Sequence, residues 1–370
     1  MRGKNCIDSC DINEKCYNNS METKIIKVDQ YNIDLDDMKR AGELIRAGEL
    51  VAFPTETVYG LGADALKEEA SRKIYAAKGR PSDNPLIVHI ADFEALEKIV
   101  KILPKEAKIL ADAYWPGPLT MRFFKNDMVP DETTGGLDTV AVRMPDHPIA
   151  LEFIRAAGGY IAAPSANRSG RPSPTLASHV AEDMDGIIPL IIDGGQVGIG
   201  IESTIVDLAE EDITILRPGF ITKEMLEETL GQPVAFDKGI DGCHGDEQPK
   251  APGMKYRHYA PKAEMAIVDG KEEDVVDFIN GEITRLMKEG KTVGVMATEE
   301  TASRYVATNV KSMGTRSNPG SLAHDFYKIL REFDEEEVDY IFSEGLGEHG
   351  VEHAVMNRMI RAAGHKKIQL

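Results

Sequence analysis

At 370 residues the chain is longer than one ordinary core requires, which points to two domains. Its apolar fraction, 42%, is that of a soluble globular protein, and no run approaches the roughly 20 apolar residues of a membrane span. A formal charge of −19 argues against wrapping nucleic acid over the whole surface, because such binding rests on phosphate neutralisation, and leaves room only for a local basic patch.

Residues 1–20 are polar and lack the apolar core of a secretory signal, so a cytoplasmic protein is expected. Cys6, Cys10 and Cys16 fall in this stretch, but zinc would want a fourth ligand and tighter pairs, and a disordered, reducible tail fits better. Folded structure is expected to start near Met21. Apolar spacing predicts a helix over 35–47, with Asp34 to cap it and Gly48 to end it. A short strand at 51–53 then delivers a hydroxyl-rich turn over 54–62. Helices are predicted over 68–77, 93–100, 105–113 and 148–157, and strands over 86–90, 119–124, 139–143, 160–163, 190–193, 203–207 and 213–217. The order is mixed, so a twisted, partly antiparallel sheet flanked by helices is expected for residues 21–236.

Residues 237–262 read as a linker, glycine-rich and polar at first and then dense in aromatics and cations. Beyond it, strands predicted over 265–268, 292–296, 310–313 and 340–343 alternate with helices over 272–288, 321–335 and 352–363. That alternation is the mark of a Rossmann-like parallel α/β domain, smaller than the first and spanning 263–370.

The stretch from Lys78 to His89 is built to grip an anion. Lys78 and Arg80 stand two apart, Gly79 opens the backbone, and Pro81 and Pro85 stiffen it, which lowers the entropy lost when phosphate or carboxylate oxygens are clamped. The alternative is a basic surface turn between helix and strand. Three other matches fail on context. Gly345-x-Gly347-x-x-Gly350 fits the dinucleotide fingerprint, but the sequence ends before a further strand could bring a ribose-binding acid. His349 and His353 match an inverted zinc-protease pattern without its further acidic ligand, and Gly290-Lys291-Thr292 reads better as a helix end before a strand than as a Walker loop.

Four segments occurring in order carry the remaining signal: 54–62, 78–89, 139–143 with 164–173, and 200–207 running on to Arg217-Pro218-Gly219. Together they resemble the threonylcarbamoyl-AMP synthase family, with its YrdC-like catalytic fold; the Lys78-x-Arg80 and Ser165-x-Asn167 pairs match that family's signature. The likeness covers about 51–219, and the linker with a Rossmann-like domain resembles the longer, two-domain members.

The resemblance implies synthesis of threonylcarbamoyl-adenylate from L-threonine, bicarbonate or CO₂, and ATP, with Mg²⁺ on the triphosphate and no dedicated metal cage on the protein. It implies L-threonine on Thr57, His89, Arg143, Ala163 and Ser203, with Arg143 on its carboxylate. ATP falls to Arg80, Asn84, Thr139, Ser165, Ser173, Arg217 and the linker's Tyr256, with Lys78 and Asn167 near the phosphates; Lys78, Arg80, Ser165 and Asn167 form the catalytic set. His89 also suits a core histidine, and Ser165 and Ser173 plain turn residues. Tyr256, Arg257, His258 and Tyr259 suit a lid that keeps water from a labile adenylate. The implied partners are a downstream tRNA threonylcarbamoyl transferase complex and a transient tRNA contact, with no membrane. The rival readings are a YrdC-like RNA-binding module without turnover and a carbamoyl-transfer maturation factor.

Overall fold

The computed structural model describes residues 21–241, 249–253 and 258–370. The cysteines Cys6, Cys10, Cys16 and Cys243 and the linker residues Lys255, Tyr256 and Arg257 lie outside them.

Two sheets organise the chain. Strands β1 (Lys24–Lys27), β2 (Val51–Phe53), β3 (Gly60–Asp64), β4 (Ile87–His89), β5 (Leu119–Phe124), β6 (Thr139–Arg143), β7 (Ile161–Ala162), β8 (Leu190–Asp193), β9 (Thr204–Asp207), β10 (Thr214–Arg217) and β11 (Ala235–Phe236) form one. Its order is β1-β8-β2-β3-β7-β4-β6-β5-β9-β10-β11, with parallel and antiparallel pairs mixed as expected. Strands β12 (Glu264–Asp269), β13 (Val293–Ala297), β14 (Asn309–Ser312), β15 (Tyr340–Glu344) and β16 (Lys367–Gln369) form the other, in the order β14-β13-β15-β12-β16 with every pair parallel.

Local chemistry explains the elements. The helix Leu35–Arg46 starts where the Asp34 carboxylate accepts from Asp36 N–H, and the helix Glu68–Lys78 stops at Gly79, whose φ of 64° suits a glycine. The 54–62 turn needs correction: its last three residues open β3, antiparallel to β2 and β7. Gly60 and Gly62 hid the strand, and they are there for the Phe53 ring; a Cβ at either would come within 3.0–3.1 Å of it. Phe53 in turn packs on Phe153 at 5.2 Å and meets His89 edge-on at 6.1 Å, which ties the cavity wall to the core behind it.

Other expectations shift as well. The predicted helix over 321–335 is two helices, Pro319–His324 and Phe326–Glu335, broken at Asp325, whose φ and ψ of −102° and 0° leave the helical well. The helices Ala177–Met184 and Lys223–Leu230, of eight residues each, and the short strands β1, β11 and β16 escaped the sequence reading, because few apolar residues repeat within so short a stretch.

The two sheets share one apolar seam. Val58 and Ile201, from loops of the large sheet, pack in the same buried cluster as Met265, Leu322, Phe326 and Tyr327 from the small one. At Gly200 the main chains nearly touch: its φ is +92°, and a Cβ there would lie 2.4 Å from the carbonyl oxygens of Ala323 and His324. No helix among the described residues is long and apolar enough to cross a membrane.

Candidate active site

The strand ends of the large sheet open into a hollow whose open space, mouth included, is about 710 Å³. Parallel pairing of β4 with β6 sets His89 opposite Arg143, so an imidazole and a guanidinium stand side by side on its floor. The β2–β3 connection adds Thr57, the segment after β7 adds Ala163, Ser165 and Asn167, and the approach to β9 adds Ser203. Lys78, Arg80 and Arg217 complete the positive lining. The structure therefore gathers all five residues expected to hold threonine, and Lys78, Arg80, Ser165, Asn167 and Arg217 from the nucleotide set, around one hollow.

Three members of the nucleotide set are not among the lining residues. Ser173 is buried and donates to Glu202 Oε1 at 2.6 Å, Thr139 Oγ1 accepts from Arg122 Nε at 2.9 Å, and the Asn84 carbonyl accepts from Arg80 Nε at 3.3 Å. Tyr256 lies outside the described residues, while His258 and Tyr259 of the same linker line the cavity.

At one end, Arg143 Nη1 donates to Thr57 Oγ1 at 2.9 Å, and its Nη2 lies 2.6 Å from Glu56 Oε1 without an N–H aimed along the contact. The Thr57 hydroxyl is itself fixed by Thr55 Oγ1 at 2.9 Å. His89 sits with Nδ1 3.2 Å from the Ile87 carbonyl, which favours the tautomer with the proton on that nitrogen. Burial, reinforced by the Arg143 charge, pushes its pKa down to about 3, so the ring is neutral at pH 7 and adds no positive charge of its own.

At the other end, Lys78 is buried with its ammonium donating to the carbonyls of Ser165 and Asn167 and, at 3.4 Å, to Asn167 Oδ1. Ser165 Oγ donates to Asn167 Oδ1 at 2.6 Å, and Asn167 Nδ2 donates to the Arg168 and Arg171 carbonyls at 2.8 and 2.9 Å, so the loop is rigid. Burial, with help from Arg80, holds the Lys78 ammonium well below its usual pKa, and burial lowers Arg80 to about 10. Both groups are cations short of counter-charge, and a bound anion would relieve that. Arg217 reaches the Ser203 carbonyl from Nε at 3.1 Å and Ser203 Oγ from Nη2 at 3.2 Å, while its Nη1 lies 3.4 Å from the Pro252 carbonyl.

Sequence reasoning missed Glu202, a buried acid in the cavity wall. Burial alone would push its carboxyl up, but Arg358, Arg217 and the Ser173 hydrogen bond together outweigh burial and hold it below the usual range. The only signal was an acid between Ile201 and the strand that begins at Thr204, and the arginine that answers it lies 156 residues away.

Two family models match the chain: one of the Sua5, YciO and YrdC group, described as telomere recombination, over residues 43–219, and one described as threonylcarbamoyl-AMP synthase, C-terminal domain, over 221–364. The threonylcarbamoyl-AMP synthase of Bacillus subtilis is 49% identical over 342 residues, 92% of this chain and 97% of that protein. The crystal structure of Pyrococcus abyssi Sua5 complexed with L-threonine superposes with a TM-score of 0.89 at 48% identity, covering 94% of this chain and all of that one. A shorter threonylcarbamoyl-AMP synthase from Pseudomonas putida is 34% identical over 182 residues, 49% of this chain and 97% of its own length.

Proposed function

The chain belongs to the threonylcarbamoyl-AMP synthase family, whose activity is of the nucleotidyltransferase type, and from that premise we propose how its cavity makes the adenylate. The threonine amine adds to CO₂ to give a carbamate and a proton. A carbamate oxygen then attacks the α-phosphorus of ATP, the bond to the β-phosphate oxygen breaks, and pyrophosphate leaves. Both reactants are anions, so the site must neutralise and align them more than supply a nucleophile.

The convergence of Lys78, Arg80, Arg143 and Arg217 with Thr57, Ser165 and Ser203 on one hollow carries this reading. Arg143, steadied by Thr57 and Glu56, takes the threonine carboxylate, and Ser203 and the Ala163 backbone border the rest of the amino acid. Neutral His89 serves as a hydrogen-bonding neighbour, since its low pKa makes it a poor base. Arg80 and Arg217 meet the phosphates, while Lys78 holds the 165–167 turn so that Ser165 and Asn167 face them. Asn84, Thr139 and Ser173 support the nucleotide from outside that lining, with Tyr256 joining from the linker. Glu56 and Glu202 are engaged by Arg143 and Arg358, so Mg²⁺ would ride on the triphosphate and not on a protein cage. The adenylate then goes to a tRNA threonylcarbamoyl transferase in the cytoplasm.

Incubation with ATP, bicarbonate and L-threonine tests the reading. Pyrophosphate release that needs threonine, together with threonylcarbamoyl-adenylate in the products, is expected. Absence of threonine-dependent release, with tight and salt-sensitive RNA binding, would leave the binding-module reading in its place.

A further inference from the structure

The helix Phe326–Glu335 of the small sheet carries Tyr327, Arg331 and Asp334 at spacings of four and three, which stack them on one face. All three are buried, and that face is turned to the large sheet. The Tyr327 hydroxyl lies 3.0 and 2.9 Å from the two carboxylate oxygens of Glu202. Arg358, from the helix Gly350–Ala362, donates from Nε to Glu202 Oε2 at 3.2 Å and from Nη2 to the Glu202 carbonyl at 3.3 Å, while its Nη1 donates to the Pro218 carbonyl. From the large sheet itself, Ser173 Oγ supplies the remaining donor, at 2.6 Å.

A carboxylate is an awkward neighbour for a polyphosphate. Left alone, Glu202 would repel the nucleotide and draw Arg217 toward itself, because unlike charges in a dry site attract strongly. Arg358 cancels that charge, and the fork of contacts from Tyr327 and Arg358 fixes where the carboxylate points. The shorter Pseudomonas putida relative matches only about half of this chain yet bears the same enzyme name, so support from a second sheet is an arrangement peculiar to the longer architecture.

We infer that Tyr327 and Arg358 are positioning residues of the proposed adenylation site: they hold the Glu202 carboxylate so that Ser173 and Arg217 stand ready for the nucleotide, making ATP capture depend on the second sheet. This rests on the function proposed above for the same cavity.

The test compares full-length Tyr327→Phe, Glu202→Gln and the double variant in pyrophosphate release at varied ATP and varied threonine. Tyr327→Phe loses a hydrogen bond to a charged group, so the ATP KM is expected to rise about tenfold with the threonine KM within about twofold. In the Glu202→Gln background the same change is expected to add little, because both act through one carboxylate. Additive effects, or a change in kcat alone with both KM values intact, would overturn the inference. Arg358→Lys is expected to recover part of the ATP affinity that Arg358→Met loses. Direct calorimetry of a non-hydrolysable ATP analogue separates the two readings: unchanged affinity in Tyr327→Phe sinks the positioning role, whereas wild-type protein without threonine-dependent turnover sinks the proposed reaction and leaves this measurement standing.

Discussion

The large and small sheets both present strand ends where an α/β protein binds ligands, yet their charges are arranged in opposite ways. In the large sheet, Lys78, Arg80, Arg143 and Arg217 converge on one cavity against, among the described residues, only Glu202 in the lining and Glu56 beside Arg143. In the small sheet, the corresponding crevice at the ends of β12 and β15 is answered by the protein itself. The Glu344 carboxylate accepts from Thr298 at 3.1 Å, from Tyr305 at 2.7 Å and from Thr301, and it pairs with Arg316 at 3.3 Å. Asp269 pairs with Lys367 at 2.7 Å, and the carboxylate of Glu352 lies against Gly347, where a bound phosphate would have to approach the helix N-terminus. The glycine fingerprint is thus present in the sheet whose charges are already paired. A surplus of buried charge marks a binding site better than a glycine pattern does.

That contrast can be broken at several points. The largest effect is expected from Arg80→Met, which removes a cavity cation proposed to meet the phosphates: turnover should fall about 10³-fold in the pyrophosphate assay, as when one donor to a developing charge is lost. Arg316→Met in the small sheet should leave turnover within about twofold; a comparable loss there would show that the second crevice also serves the chemistry. Next comes Arg143→Lys, which keeps the charge but not the planar fork. The threonine KM is expected to rise on the order of 10-fold or more while the ATP KM stays put.

Acid should expose the same asymmetry in stability. His89 and His258, both facing the cavity, are pushed by burial to about 3, whereas the unfolded chain takes up its protons near the ordinary value of 6.5. Between those values the unfolded state binds more protons, so stability should decline as pH falls from about 6.5 toward 3. Urea midpoints measured across that range should show the decline, and His89→Gln should make it shallower. The smallest change in activity is expected from Gly345→Ala. Its Cβ would meet Asp269 atoms at 2.6–3.0 Å, so thermal unfolding should reveal a loss of about 1–3 kcal/mol from overpacking, with both KM values within about twofold.

Much of this was legible in the sequence. The Lys78-x-Arg80 pair, its flanking prolines and the alternation after them located both the helix end and the strand that carries His89. The parallel character of the small sheet followed from its alternation of strands and helices. What escaped has a common physical cause. Glu202, Tyr327 and Arg358 acquire meaning only when segments 125 and 156 residues apart close on one another, and no local pattern encodes that closure. Ser173 and Thr139 entered the nucleotide set through the resemblance alone; the side chain of Ser173 turns to Glu202 in the cavity wall, and that of Thr139 to Arg122. The strand β3 was lost for another reason: its glycines serve the ring of Phe53 and so erase the alternation that would have announced a strand.

The bare main-chain contact at Gly200 reaches beyond packing. A side chain there would press on the end of the helix Pro319–His324, three residues before Tyr327, so a substitution at this position also tests the support of Glu202. The two sheets are therefore sterically coupled at that point. A descendant that shed its second half would be released from the crowding at once, and only the left-handed backbone would still ask for glycine.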